Sequence, residues 1–178
     1  TIVLEEGLHF MDNFTIDKDR ITICSQFEFS GDTTVINATK ITSGAPGPCY
    51  VNTRVKFIGI NFINGSSDLH GGALRTGWGT GEIIAENCYF IGNEAEFEGG
   101  AVFIAGPGSK GSFRNCIFKY NKALVGSAIQ INWGASVEIN NCLFYQNHAI
   151  QNGTISCWDS ELIINNCTFY DNYTTGNS

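Results

Sequence analysis

Apolar side chains recur at every second position in short runs, and the parity of the run switches at an asparagine. Val137 and Ile139 precede Asn141, and Cys142 and Phe144 follow it; around Asn166 the same places hold Leu162, Ile164, Cys167 and Phe169. Val55 and Phe57 precede Gly59 in the same way. A period of two is that of a β-strand, whose successive side chains point to opposite faces. A switch of parity across one residue makes that residue a corner, and asparagine tolerates the left-handed backbone such a corner needs. The pattern predicts pairs of short strands joined at single asparagines.

The pairs repeat. Asn87–Asn93, Asn115–Asn121, Asn141–Asn147 and Asn166–Asn172 align without gaps as N-C-x-F-x-x-N, their starts 28, 26 and 25 residues apart, and Gly59–Gly65 is a degenerate copy 28 residues upstream. A second motif keeps step with the first: Gly71-Gly-Ala-Leu74, Gly99-Gly-Ala-Val102, Gly126-Ser-Ala-Ile129 and Asn152-Gly-Thr-Ile155. It supplies a third strand, with Leu74, Val102, Ile129 and Ile155 as one inward column and Thr76, Ile104, Ile131 and Cys157 as another. Two interleaved motifs in phase mark a repeat architecture. Three short strands per 25–28 residues predict an all-β, single-stranded parallel β-helix of about six or seven coils, stacked about 4.8 Å apart.

Equivalent residues then form ladders along the axis. One is of phenylalanine (Phe62, Phe90, Phe118, Phe144, Phe169) and one of cysteine (Cys88, Cys116, Cys142, Cys167). Two are of asparagine: Asn87, Asn115, Asn141 and Asn166 at the corners, and Asn93, Asn121, Asn147 and Asn172 at the end of each motif. Stacked amides are expected to hydrogen-bond from coil to coil and to satisfy buried backbone. Residues 1–178 read as one domain, with regular coils over 55–178 and one or two divergent coils over 1–54, where Ile2/Leu4, Phe14/Ile16, Ile21/Ile23 and Val35 look like strands. The Pro- and Gly-rich stretch Ser43–Pro48 reads as a loop.

With four FxxN and two intact GGA(I/L/V) copies over roughly residues 55–175, the sequence resembles the chlamydial polymorphic outer-membrane proteins and the adhesin-like surface proteins of methanogenic archaea. The resemblance implies a right-handed, pectin-lyase-like β-helix on an exported and often adhesive surface protein; the handedness comes from it alone. Gly126-Ser-Ala and Asn152-Gly-Thr depart from the GGA pattern.

Charge and composition narrow the function. Ten Lys and Arg against seventeen Asp and Glu leave a net charge of −7, which disfavours a phosphate-neutralising surface and hence nucleic acid. No apolar run approaches the length of a membrane span. Polysaccharide lyases and hydrolases also use parallel β-helices, but they need clustered carboxylates or calcium. The seven Asp share no column, Glu94, Glu96 and Glu98 read as a solvated face, and His9, His70 and His148 fit no metal-ligand spacing. The expectation is a non-enzymatic protein without a cofactor.

Three further features bear on partners. Trp78 and Trp133 each fall seven residues after the start of their Gly-Gly-Ala-type motif and Trp158 falls six after, so all three are expected at one turn of different coils, as a ledge for sugar rings or as caps of the core. The cysteine ladder reads as buried free thiols, because stacked strands hold their Cβ atoms about 4.8 Å apart, beyond bridging distance; Cys157 also reads as free, and Cys24 with Cys49 is the one plausible disulfide. Of six N-x-S/T sequons, Asn13, Asn37, Asn64 and Asn152 are the glycosylation candidates, whereas Asn166 and Asn172 belong to ladders and Asn166 is expected to be inaccessible. No amphipathic helix precedes Ile2 and six residues follow Asn172, so the open ends are expected to pair with copies of the chain or with further coils of a longer one. The sequence reads as an extracellular or cell-surface structural or adhesive module, part of a fibre, stalk or head-to-tail filament. The alternatives are a polysaccharide-active enzyme and a glycan-binding module.

Overall fold

The computed structural model describes residues 1–44 and 47–176. It is a parallel β-solenoid. Coil 4 shows the plan: strands Glu82–Glu86, Tyr89–Ile91, Glu94–Ala95 and Val102–Ala105 follow one another around the axis, and each pairs in parallel with its equivalents in the coils on either side. Four ladders of strands result. Sheet 1 (Ile2–Leu4 to Glu161–Asn165) and sheet 2 (Gly7–Phe10 to Thr168–Tyr170) have seven strands each, sheet 3 (Ser66–Ser67 to Tyr173–Thr174) has five, and sheet 4 (Thr15–Ile16 to Ile155–Trp158) has six. Coils 1 to 7 span residues 2–16, 21–51, 54–76, 82–105, 110–132, 136–158 and 161–174. Sheets 1, 2 and 4 are the three strands expected per coil, and the short sheet 3 is an addition. Ala45 and Pro46 of the expected Ser43–Pro48 loop lie outside the described residues.

The corners follow the parity switch. Asn87, Asn115, Asn141 and Asn166 have φ between 51° and 54°, and Gly59 takes the same turn at 64°. At Gly59 glycine is also a steric need, since a Cβ there would overlap Phe27. The Gly-Gly-Ala motif works through both of its glycines. Gly71, Gly99 and Gly126 are left-handed, and a side chain on Gly72 or Gly100 would collide with the backbone carbonyl of Gly100 or Ser127 in the next coil.

The interior is built from ladders. Phe62, Phe90, Phe118, Phe144 and Phe169 stack face to face with ring centroids 4.7–4.8 Å apart, while Phe57 and Phe113 meet them edge-on. Each such pair contributes about 0.5–1.5 kcal/mol beyond its area burial. Beside them runs an amide ladder. Asn93, Asn121 and Asn147 donate through Nδ2 to Oδ1 of Asn121, Asn147 and Asn172 at 3.0, 2.9 and 2.8 Å. The same Nδ2 groups donate to the carbonyls of Phe62, Phe90 and Phe118, and each Oδ1 accepts the backbone N–H of the preceding coil. The corner asparagines form no such chain: Asn115 Nδ2 donates to Asn87 Oδ1, but Asn115, Asn141 and Asn166 are exposed. The expected inaccessibility of Asn166 is corrected accordingly, because its corner turns the side chain outward.

Cys88, Cys116, Cys142 and Cys167 form the expected ladder of free thiols. Each Sγ donates to a carbonyl two residues back in its own strand pair, at 3.2–3.3 Å. Burial, reinforced by the neighbouring thiols, pushes Cys116 well above the usual thiol range. The proposed Cys24–Cys49 disulfide does not form; both are free. Cys49 lies in the central core, where burial pushes its thiol up to about 12. Cys24 alternates with the core-facing Ile23 in strand Ile21–Ser25 and so faces the opposite side of sheet 1.

A second correction concerns Val35. It lies not in a strand but in helix α2 (Thr33–Ala38), which follows the one-turn helix α1 (Phe27–Ser30). Asp32 caps α2 by accepting the Thr34 N–H at 2.9 Å, and Gly31 ends α1 in the left-handed region. The two helices bulge from coil 2, and α2 buries Ile36.

The amide ladder is testable against the corner ladder. Asn121→Ala orphans the buried Asn93 N–H, at about 1–3 kcal/mol, and takes one donor from the Phe90 carbonyl. Asn115→Gly keeps the left-handed corner and costs less than about 1 kcal/mol. Equilibrium urea unfolding is expected to show a large shift of midpoint for the first and a small one for the second; equal shifts would contradict the ladder.

Candidate functional site

The outer face of sheet 4 breaks the repeat. In register on this outer side stand Arg75, Phe103, Gln130 and Ser156, then Ala105, Asn132 and Trp158, although Phe103, Ala105, Gln130 and Asn132 are buried. The chain then turns: Trp133 follows Asn132 with φ 56°, and Asp159 follows Trp158 with φ 49°. These turns put the three tryptophans together, as the sequence pattern required. Trp78 in coil 3 and Trp133 in coil 5 lie with ring centroids 5.0 Å apart, and Trp133 and Trp158 6.1 Å apart. Trp78 reaches past coil 4 because Gly106-Pro107-Gly108 occupies the equivalent turn there.

The indoles do not cap the core. Trp78 is 66% and Trp158 61% exposed, and Trp133 packs edge-on against Phe103 of the outer face. Nor do they make a flat ledge, since the interplanar angles are 44° and 79°. They form a corner beside a groove of about 390 Å³ lined by Glu98, Val125, Gln130, Asn132, Trp133, Asn152, Ser156, Cys157 and Trp158.

Glu98 changes the reading of its acidic run. Glu94 pairs with Lys122 at 2.6 Å and Glu96 is exposed, as a solvated face requires. Glu98 instead turns in beneath the groove, where Asn132 Nδ2 donates to it at 3.2 Å. His70 Nδ1 lies 3.4 Å away, with its ring stacked on Phe103 at 4.5 Å. Burial raises the Glu98 carboxyl above the usual carboxylate range, against the opposing effect of the Asn132 bond. Burial, with the nearby positive charge of Arg75, lowers His70. Gln130 Nε2 donates to Asn132 Oδ1 at 2.5 Å, which completes a line from Gln130 through Asn132 to Glu98. Gln130 Oε1 is buried and has no hydrogen-bond partner. None of Glu98, Gln130 and Asn132 was singled out by the sequence as a site, because the outward columns of sheet 4 change from coil to coil and carry no repeat to depart from.

The remaining candidates lie elsewhere. His9 contacts the Glu5 carbonyl at 2.9 Å, and His148 stacks on Tyr173 and contacts Thr175 Oγ1. Asn13, Asn37, Asn64 and Asn152 are all exposed, and Asn152 stands on the groove rim. Among the described residues no group of three or more His, Cys, Asp and Glu side chains is placed to hold a metal, and no helix is long and apolar enough to cross a membrane. A second concavity, about 420 Å³ on the outer face of sheet 1, is lined by Arg54, Glu82, Glu86, Lys110, Arg114 and Glu138. Its charges partly neutralise one another between coils, Arg54 with Glu82 at 3.5 Å and the adjoining Lys56 with Glu86 at 2.8 Å. Exposed pairs of this kind contribute about 0–1 kcal/mol.

Among curated proteins, the chain is similar to metabotropic glutamate receptor-like protein R of Dictyostelium discoideum, at 40% identity over 91 residues. The match covers 51% of this chain and 5% of that protein. No family model matches the chain, and no solved structure matches it.

The position of Glu98 has a consequence for stability. A carboxyl whose folded pKa is raised favours the fold while protonated, and that contribution is lost as pH rises through the folded value. Glu98→Gln keeps the acceptor for Asn132 and removes the buried charge. Its melting temperature is expected to match the parent below the carboxylate range and to exceed it at neutral pH. A variant no more stable than the parent at pH 7 would show that Glu98 is not strained by burial.

Proposed function

We propose that this chain is part of an extracellular, non-enzymatic, adhesive β-solenoid, and that the aromatic groove on sheet 4 is its ligand surface, with a glycan as ligand. The observation that carries the reading is the convergence of Trp78, Trp133 and Trp158 from three coils at one partly exposed corner. Indole faces offer apolar contact to sugar C–H groups, and the indole N–H offers a donor. The adjoining groove adds Asn132, Asn152 and Ser156 as neutral polar partners, the mixture by which small-molecule sites combine contact with orientation.

A binding role is favoured over hydrolysis by the carboxylate count. Glycoside hydrolysis by the usual route takes two carboxyl groups about 5–9.5 Å apart, and Glu98 is the one carboxylate lining this groove. The scaffold half of the proposal is continuation of the ladders by coils of the same fold, since the phenylalanine and asparagine of each coil stack on those of the next.

The test is glycan-array screening followed by titration calorimetry on the best ligand. Trp158→Ala and Trp78→Ala, both at exposed positions, are expected to weaken binding about tenfold, equivalent to about 1.4 kcal/mol, with unfolding midpoints unchanged. Equal binding by parent and variants, or no glycan bound at all, would overturn the ligand surface. Sedimentation as a single small species at high concentration would count against self-assembly.

A further inference from the structure

We infer that the ligand of this groove is cationic: a glycan bearing protonated amino groups, as in a polymer of unacetylated amino sugars, with an ammonium seated between the indole corner and Glu98. The inference rests on the proposed function and names the class of glycan. Three observations carry it.

The first is the shape of the aromatic wall. Rings inclined at 44° and 79° present faces and an edge around a corner, whereas a neutral sugar stacks best on a flat surface. A corner of indole faces suits a compact cation, which the negative face of an aromatic ring attracts. The second is charge. Glu98 is the single charged side chain lining the groove, which has neither Lys nor Arg. The groups that face Glu98 do not neutralise it. Coil 3 offers His70 at 3.4 Å, whose protonation burial and Arg75 disfavour, with Arg75 over the Phe103 and Tyr50 rings. Coils 5 and 6 offer Val125, Asn132, Asn152 and the Cys157 thiol, none of them a cation. The third is the hydrogen-bond inventory. Glu98 accepts one side-chain hydrogen bond, from Asn132 Nδ2 to its Oε2, which leaves acceptor capacity on the carboxylate for a further donor. An ammonium is a donor only. The chain's net charge of −7 adds long-range attraction for such a ligand.

The experiment compares three probes of equal length by calorimetry: a β-1,4-linked glucosamine oligomer, its fully N-acetylated form and a glucose oligomer. The glucosamine oligomer is expected to bind at least tenfold more tightly than the other two. Glu98→Gln, first shown by circular dichroism and melting to be folded, is expected to remove that preference. Below the range in which the ligand's amines gain their protons, binding is also expected to weaken as pH falls further and Glu98 takes up a proton. Equal or tighter binding of the acetylated or glucose oligomer would overturn the inference and leave the glycan-binding reading standing. A preference for the glucosamine oligomer unchanged by Glu98→Gln would also overturn it, by placing the cation elsewhere. Binding of none of the three would overturn the inference, and a blank glycan array besides would take the proposed function with it.

Discussion

The buried asparagine amide ties one coil to the next. A primary amide has two donors and a carbonyl with two lone pairs, and Asn121 uses them on both neighbouring coils: its Nδ2 reaches the Phe90 carbonyl and Asn147 Oδ1, and its Oδ1 takes the N–H and Nδ2 of Asn93. Such a network closes only if every coil brings the same atoms to the same height. The phenylalanine three residues earlier is held to the same spacing by ring stacking at 4.7–4.8 Å, so the F-x-x-N segment cannot change length. Changes in coil length from 28 to 26 and 25 residues are absorbed elsewhere. Between Asn93 and Gly99 the chain runs six residues, and between Asn121 and Gly126 five, with the left-handed glycine resetting the path each time.

This division explains what could be read from the chain. The corners were legible because a one-residue turn inverts a period-two pattern, and the inward columns because a stack of identical contacts demands similar side chains. Sheet 3 was not. Its strands in coils 3 and 4 are two residues long, and its inward column is Ser67, Ala95, Ala123 and Ala149, too short and too small to show a period. Helix α2 was not legible either: six residues give fewer than two turns, and its start depends on one local cap at Asp32. The Cys24–Cys49 pairing failed because cysteine count carries no information about which face of a strand each thiol occupies.

Glu98 shows the limit most clearly. In Glu94-Ala-Glu-Phe-Glu98 every second residue is acidic, and on a strand that pattern places all three in water. But the strand ends at Ala95, so beyond it the alternation no longer reports a common face. Glu98 then falls where the chain bends into its Gly-Gly-Ala corner, and it comes to rest against Asn132, thirty-four residues on. A contact between coils 4 and 5 through an outward side chain obeys no repeat, and no local pattern announces it.

A solenoid of this kind has room for a site only where its columns are free to vary. Inward positions are bound to their neighbours above and below, and variation there costs packing along the whole stack. Outward positions carry no such obligation, and on sheet 4 they differ from coil to coil: Arg75, Phe103, Gln130 and Ser156 occupy one column. The tryptophans use this freedom twice, by being present at the turns of coils 3, 5 and 6 and by being absent from coil 4. An indole at every turn would stack at the coil spacing into a continuous ribbon, as the phenylalanines do inside. Gly106-Pro107-Gly108 interrupts that ribbon, and the gap lets Trp78 tilt onto Trp133 while Trp133 meets Trp158 edge to face. The groove therefore takes its shape from a missing side chain as much as from those present.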